Sequence, residues 1–103
     1  MHSIPTYRLL LMYDVHPSKY EIYFQYISRE FVPALQEMGL HMIFAWHVHG
    51  EYPERQVEFI CRDKETLRRT LTGERYKSLE DRLRSYTTTF SRKIVRFENR
   101  YQF

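Results

Sequence analysis

The chain contains one cysteine, Cys61, so no disulfide can close within it, and its thiol content does not point to an oxidising compartment. It has no block of five like charges. Its 16 Lys and Arg are dispersed among 13 Asp and Glu, and the net charge is +3. That pattern excludes a basic tail of the kind that grips nucleic acid or an anionic membrane surface. Long hydrophobic runs are missing too. Leu9 to Tyr13, bounded by Arg8, Asp14 and His16, is far too short for a signal or membrane-spanning segment. The expectation is a cytoplasmic protein with neither membrane nor nucleic acid as partner. No phosphate loop, dinucleotide fingerprint or nucleophile elbow occurs. Internal repeats, low-complexity stretches and linkers are equally absent, and 103 residues fit one domain, 1–103.

What the chain has in excess is aromatic surface: 17% of residues, with nine Tyr and seven Phe. Such side chains bury large areas and recur at interfaces. Tyr7 to His16 reads as a strand with Tyr7, Leu9, Leu11, Tyr13 and Val15 on one face. Pro17-Ser18 opens a helix, and Ser18 with Glu21 fits a capping box. Tyr20, Phe24, Ile27, Phe31, Leu35 and Met38 form its apolar stripe. Pro33 within that stripe predicts a kink or split near Ser28–Glu30, and Gly39 is the stop. His41 to His49 is a second strand whose apolar set is Met42, Phe44, Trp46 and Val48. A turn around 50–54 joins it to a third strand, Gln56 to Arg62. Asp63 caps a second helical stretch carrying Leu67 and Leu71, which Thr72-Gly73 interrupts. Tyr76, Leu79, Leu83 and Tyr86 continue the helical pattern. The β-branched run Thr87–Thr89 ends it, and Phe90 to Phe97 is the last strand.

The order strand, helix, strand, strand, helix, strand predicts an α+β fold. It is the ferredoxin-like β-α-β-β-α-β sandwich, a four-stranded antiparallel sheet with its helices on one face. The opposite sheet face then collects Leu10, Met12, Ile43, Ile60 and Ile94 among Arg8, Asp14, His16, His47, His49, Glu58, Arg92 and Arg96. A face open to water has no need of that aliphatic set, and a contiguous apolar patch marks an interaction surface. The expected partner is a second copy of the chain, giving a homodimer.

The residues also carry a resemblance. The F-x-P of Phe31 and Pro33 followed by Gly39, the aromatic strand with Trp46, and Gly50-Glu51 are among them. So are the strand Val57–Ile60, the Arg-x-x-Leu of Arg68 to Leu71, and Tyr76. Together these resemble the NIPSNAP-like branch of the dimeric α/β-barrel superfamily over nearly the whole chain. The resemblance implies two sheets packed face to face as a barrel formed by the dimer. It also implies that small-molecule pockets between sheet and helices, where cofactor-free oxygenases and cyclases of related folds use Tyr, Trp or His, are to be looked for here. Haem-binding relatives place a His on a helix; all five His of this chain, at 2, 16, 41, 47 and 49, fall outside both helices, so no cofactor is expected.

The ligand-binding candidates are therefore Tyr13, Tyr23 and Trp46, with the competing reading that these rings are simply core. His47, His49 and Glu58 form a second candidate set, because two His plus a carboxylate suit zinc or iron. Against that stands the reading that they are polar residues satisfied across a dimer interface. Arg8, Arg96, Glu58 and Asp14 read as interface ion pairs or as an anion site. Cys61 reads as a buried, inert thiol. Two functions remain open: a dimer that binds or transforms a small apolar or aromatic molecule, and a non-catalytic homodimeric interaction protein. An RNA module is set aside, because its base-stacking aromatics belong on the open sheet face and the third strand lacks the required pattern. A cavity between sheet and helices separates the first two.

Overall fold

Strict alternation in β1 (Ile4–Val15) puts Leu9, Leu11, Tyr13 and Val15 on one side, and all four are buried. The computed structural model describes residues 4–47 and 53–99, with the backbone alone at Ile4, Pro5, Phe44, Trp46, His47, Phe97, Glu98 and Asn99. β1 lies at the centre of an antiparallel sheet of order β2-β3-β1-β4, with β2 His41–His47, β3 Arg55–Cys61 and β4 Thr87–Asn99. The helices pack on the face of the buried β1 row. Leu9, Leu11, Tyr13, Val57 and Phe59 meet Tyr23, Tyr26, Phe31, Leu35, Leu67, Tyr76 and Leu83 in one core. This is the ferredoxin-like α+β arrangement expected from the element order.

The first helical layer is broken where Pro33 requires it. A 3-10 turn, Pro17–Lys19, leads into α1 (Tyr20–Tyr26), then a π-helical turn, Ile27–Phe31, then α2 (Val32–Glu37). Pro33 has no N–H for the Arg29 carbonyl and its ring crowds that group. The wider turn relieves this, and the Val32 N–H donates to the carbonyl of Ile27, five residues back. The buried positions shift with it. Tyr26 and Phe31 are five apart, about 140° around an uninterrupted α-helix, yet both are buried with ring centroids 6.0 Å apart. The continuous stripe expected through Phe24 is thus replaced by Tyr23, Tyr26, Phe31, Ala34 and Leu35, and Phe24 is half exposed.

Two caps contrast. At the first helix the expected Ser18–Glu21 box is not formed; His16 Nδ1 accepts from the Ser18 N–H at 3.3 Å, because the 3-10 turn starts at Pro17. At α3 (Lys64–Thr72) Asp63 caps as expected, accepting from the Glu65 N–H at 3.1 Å and the Thr66 hydroxyl at 2.6 Å. Gly73 separates α3 from α4 (Glu74–Arg84). Tyr76 of α4 donates to Glu80 at 2.9 Å, and Arg92 of β4 donates to the same carboxylate oxygen at 3.1 Å, tying the helix to the sheet edge.

Strand β2 departs from the sequence pattern. Met42 pairs with Phe59, but Phe44 pairs with Glu58, so Ile43 is an extra residue. A one-residue shift exchanges the two faces of everything beyond it. The positions of Phe44 and Trp46 consequently fall in the row of Glu58 and Gln56, away from the helices, and Ala45 falls in the row of Val57. The expectation that Phe44 and Trp46 occupy the helix side is corrected by this bulge. Val48 and His49 lie outside the described residues.

Strand β4 is also turned over relative to expectation. It pairs Tyr7 with Arg96, Leu9 with Ile94 and Leu11 with Arg92, so these three belong to the helix side and not to the open face. The alternation of β4 is ambiguous by itself, since each row mixes charged and aliphatic residues. Edge position decides it: Arg92 lies over the Tyr76 ring, 5.7 Å from its centroid, and reaches Glu80. Val95 moves to the open face, which now carries Leu10, Met12, Ile60 and Val95, all partly buried, around the Arg8–Glu58 ion pair of 2.8 Å.

Gly39 ends α2 with φ +93°, the left-handed region. A Cβ there meets Thr66 Cγ2 at 3.2 Å. Replacing Gly39 with Ala should lower the urea midpoint by an amount equivalent to about 1–2 kcal/mol with an unchanged denaturant slope, since backbone strain alters stability without altering the area exposed on unfolding.

Candidate functional site

Tyr13 stands on the core face of β1 and Tyr23 one turn into α1. Their hydroxyls are 2.5 Å apart and their rings meet edge to face with centroids 5.7 Å apart. Phe90 stacks on Tyr13 from the other side at 5.9 Å. Both tyrosines are buried, and burial pushes both hydroxyls above the ordinary tyrosine range, Tyr13 well above it. The positive charge of Arg55 acts in the opposite direction on each.

Arg55 begins β3 directly across from Tyr13 in the sheet register. Its guanidinium lies over three rings, 5.3 Å from the centroid of Phe24, 5.6 Å from Tyr20 and 6.0 Å from Tyr23. The Arg55 Nε is buried and has no hydrogen-bond partner among the described residues. Tyr20 donates instead to Glu54 at 3.2 Å.

Beside this group the helical layer and the sheet edge separate to leave a cavity of about 430 Å³. Tyr23, Phe24, Ile27, Ser28 and Val32 line it from the helices, and Met42, Ala45, Arg55 and Val57 from the sheet. Its existence follows from the two irregularities of the fold. The π-helical turn supplies Ile27 and Ser28, and the bulge in β2 brings the small side chain of Ala45 into the row of Val57. Phe24, Met42 and Ala45 are exposed and mark the mouth at the β2 edge. The walls are apolar, so a bound molecule gains the free energy of burying its own apolar surface, about 25 cal/mol per Å². The polar features are few and fixed, the pattern of small-molecule sites.

The sequence candidates divide accordingly. Tyr13 and Tyr23 are brought together, with Tyr23 on the cavity wall and Tyr13 behind it. Trp46 is not placed with them by the register, which pairs it with Gln56; its side chain lies outside the described residues. The backbone of His47 pairs with Arg55 and that of Glu58 with Leu10, in opposite rows of the sheet, so the register does not assemble His47 and Glu58 as one ligand set. Glu58 is engaged by Arg8, and His49 lies outside the described residues. The expected charged network also splits: Arg8 and Glu58 pair, Arg96 belongs to the other face, and Asp14 accepts from the Glu54 N–H at 2.9 Å and the Thr89 hydroxyl at 2.8 Å. Sequence reasoning misses Arg55, which borders the 50–54 turn and precedes the expected third strand. Its signal is a cation two residues before Val57, in step with the inward row Val57, Phe59 and Cys61.

Burial sets an alkaline test. Tyr13 and Tyr23 are shifted upward and Tyr26 is pushed up to about 12, also by burial. In the unfolded chain these groups ionise near 10. The stability they contribute is therefore complete below about pH 10 and is lost as pH rises through the folded values. Absorbance titration should show tyrosines that stay protonated until the chain unfolds, and Tyr13→Phe should flatten the loss of stability between about pH 10 and 12.

No protein-family model matches the chain, and no curated protein matches it. Solved structures do. A conserved protein from Methanosarcina mazei superposes with a TM-score of 0.66 at 16% identity, covering 91% of this chain and 92% of the other. A NIPSNAP family protein from Agrobacterium tumefaciens gives 0.66 at 11%, covering 92% and 87%. An antibiotic biosynthesis monooxygenase gives 0.60 at 15%, covering 92% and 99%. At these identities what is shared is the backbone arrangement, and the NIPSNAP-like resemblance of the sequence holds at that level: the chain has the fold of NIPSNAP family proteins and of antibiotic biosynthesis monooxygenases.

Proposed function

We propose that this protein binds, or binds and transforms, a small apolar or aromatic molecule in the cleft between sheet and helices. The observation that carries the reading is the cavity of about 430 Å³ walled by Tyr23, Phe24, Ile27, Val32 and Val57. Its volume suits a planar compound of two or three rings, and the walls offer flat apolar surface with few polar atoms. The presence of a monooxygenase and of NIPSNAP family proteins among structures of the same fold is consistent with a small-molecule role.

We further propose that the protein works as a homodimer through the open sheet face. Leu10, Met12, Ile60 and Val95 interrupt the charges of that face and no helix among the described residues covers it. A cytoplasmic setting fits the single thiol, Cys61, which is buried and free. No helix among the described residues is long and apolar enough to cross a membrane.

Thermal unfolding with a panel of planar aromatic compounds tests the first proposal. A ligand at about 100 times its Kd should raise the melting temperature by roughly 10 °C or more, because only the folded chain binds it. Ala45→Phe, which fills the mouth of the cleft from an exposed position, should abolish that shift while leaving the unliganded melting temperature nearly unchanged. No shift with any member of the panel defeats the reading. For the dimer, light scattering should report twice the chain mass, and Leu10→Lys with Met12→Lys should halve it through like charges on the facing surface; a folded wild-type monomer defeats it.

A further inference from the structure

Two chemical details of the cleft bear on which aromatic molecules it takes. The first is Arg55. A guanidinium stays charged at every pH a protein meets, and this one, partly buried, lies over the rings of Tyr20, Tyr23 and Phe24. Arg55 forms no ion pair among the described residues, and its Nε is buried without a hydrogen-bond partner. A buried donor left without a partner is costly, and such groups as a rule find an acceptor. Here the guanidinium borders a cavity instead. The second detail is a proton count. Tyr13 and Tyr23 carry one hydroxyl proton each, and the contact between them uses one. The other has no acceptor among the described residues, and Tyr23 is the partner on the cavity wall.

We propose that the cleft is selective for aromatic anions, with a carboxylate or equivalent oxyanion held by the Arg55 guanidinium and the Tyr23 hydroxyl and the ring system lying between Phe24 and Val57. This rests on the small-molecule reading above and narrows it. The logic is complementarity on three counts. The oxyanion supplies the acceptor that the Arg55 Nε lacks, in the planar two-donor geometry that guanidinium offers to carboxylate. It also accepts the spare tyrosine proton. The rings cover the apolar walls, so the anion is selected against inorganic ions and the ring system against aliphatic acids. Among the described residues no acidic side chain lines the cleft to repel such a ligand.

The test compares 2-naphthoate with 2-naphthamide, two probes of equal size and shape that differ in charge, by calorimetric titration at fixed ionic strength. Wild-type protein should bind the carboxylate at least about 10-fold more tightly, the discrimination a charge-assisted bond provides over a neutral one. Arg55→Gln should remove that preference by weakening naphthoate binding about 10- to 100-fold while leaving naphthamide within about threefold. Arg55→Lys, which keeps the charge without the planar fork, should fall between the two and covers the case in which the Gln variant does not fold. Equal affinity of the wild type for both probes, or a preference that survives in Arg55→Gln, overturns the proposal while leaving the aromatic cleft intact. Binding of neither probe, with Ala45→Phe indistinguishable from wild type against the whole panel, overturns the cleft reading and this one with it.

Discussion

The missing N–H of Pro33 is the constraint on which the helical side of this molecule depends. A helix that ran unbroken from Tyr20 to Glu37 would present Phe31 and Tyr26 to different sides. The widened turn at Ile27–Phe31 takes up one extra residue, rotates α2 relative to α1, and returns Phe31 to the core against Tyr26, Phe59 and Tyr76. Phe31 is fully buried at that junction. Ile27 and Ser28 of the same turn line the cleft together with Phe24 of α1. A local backbone restriction has thereby become a feature of tertiary structure. Irregular helical turns of this kind recur at functional sites for that reason.

A second irregularity answers it from the sheet. The extra residue Ile43 in β2 reverses the rows beyond it and sets Ala45, a methyl group, where the alternation of the sequence calls for a large aromatic. Had Phe44 and Trp46 occupied the helix-facing row, their volume would have been directed at the place where the cleft stands. Cavity and bulge are therefore one arrangement, the small residue facing inward opposite Val57 and the polar group of Arg55 closing one end.

The element order, the Gly39 and Gly73 breaks, the Asp63 cap and the core rows of β1 and β3 were legible in the sequence, because each rests on a local rule of period or propensity. So was the break before Pro33, and Tyr13 and Tyr23, named together from the sequence, are in contact. What stayed hidden were relations between strands. Whether Ile94 or Val95 faces the helices depends on the register of β4 against β1, and the β4 pattern alone is satisfied either way. The face of Trp46 depends on a bulge that no residue type announces, since Ile43 fits a regular strand equally well. Arg55 was illegible for a related reason: a cation at a strand start reads as turn, and only the three rings gathered around it from α1 reveal its place.

The bulge has a further consequence, for how the protein keeps company with other chains. Sheets end in strands whose outer hydrogen-bonding groups are free to recruit another strand, the first step toward fibrils. At the β2 margin the interrupted spacing around Ile43 breaks the regular ladder such a newcomer would need. At the opposite margin β4 presents Arg92, Lys93 and Arg96 within five positions, and a second copy laid alongside would meet like charge. One border is guarded by geometry and the other by electrostatics. Extension of the sheet by a further strand is disfavoured at both margins.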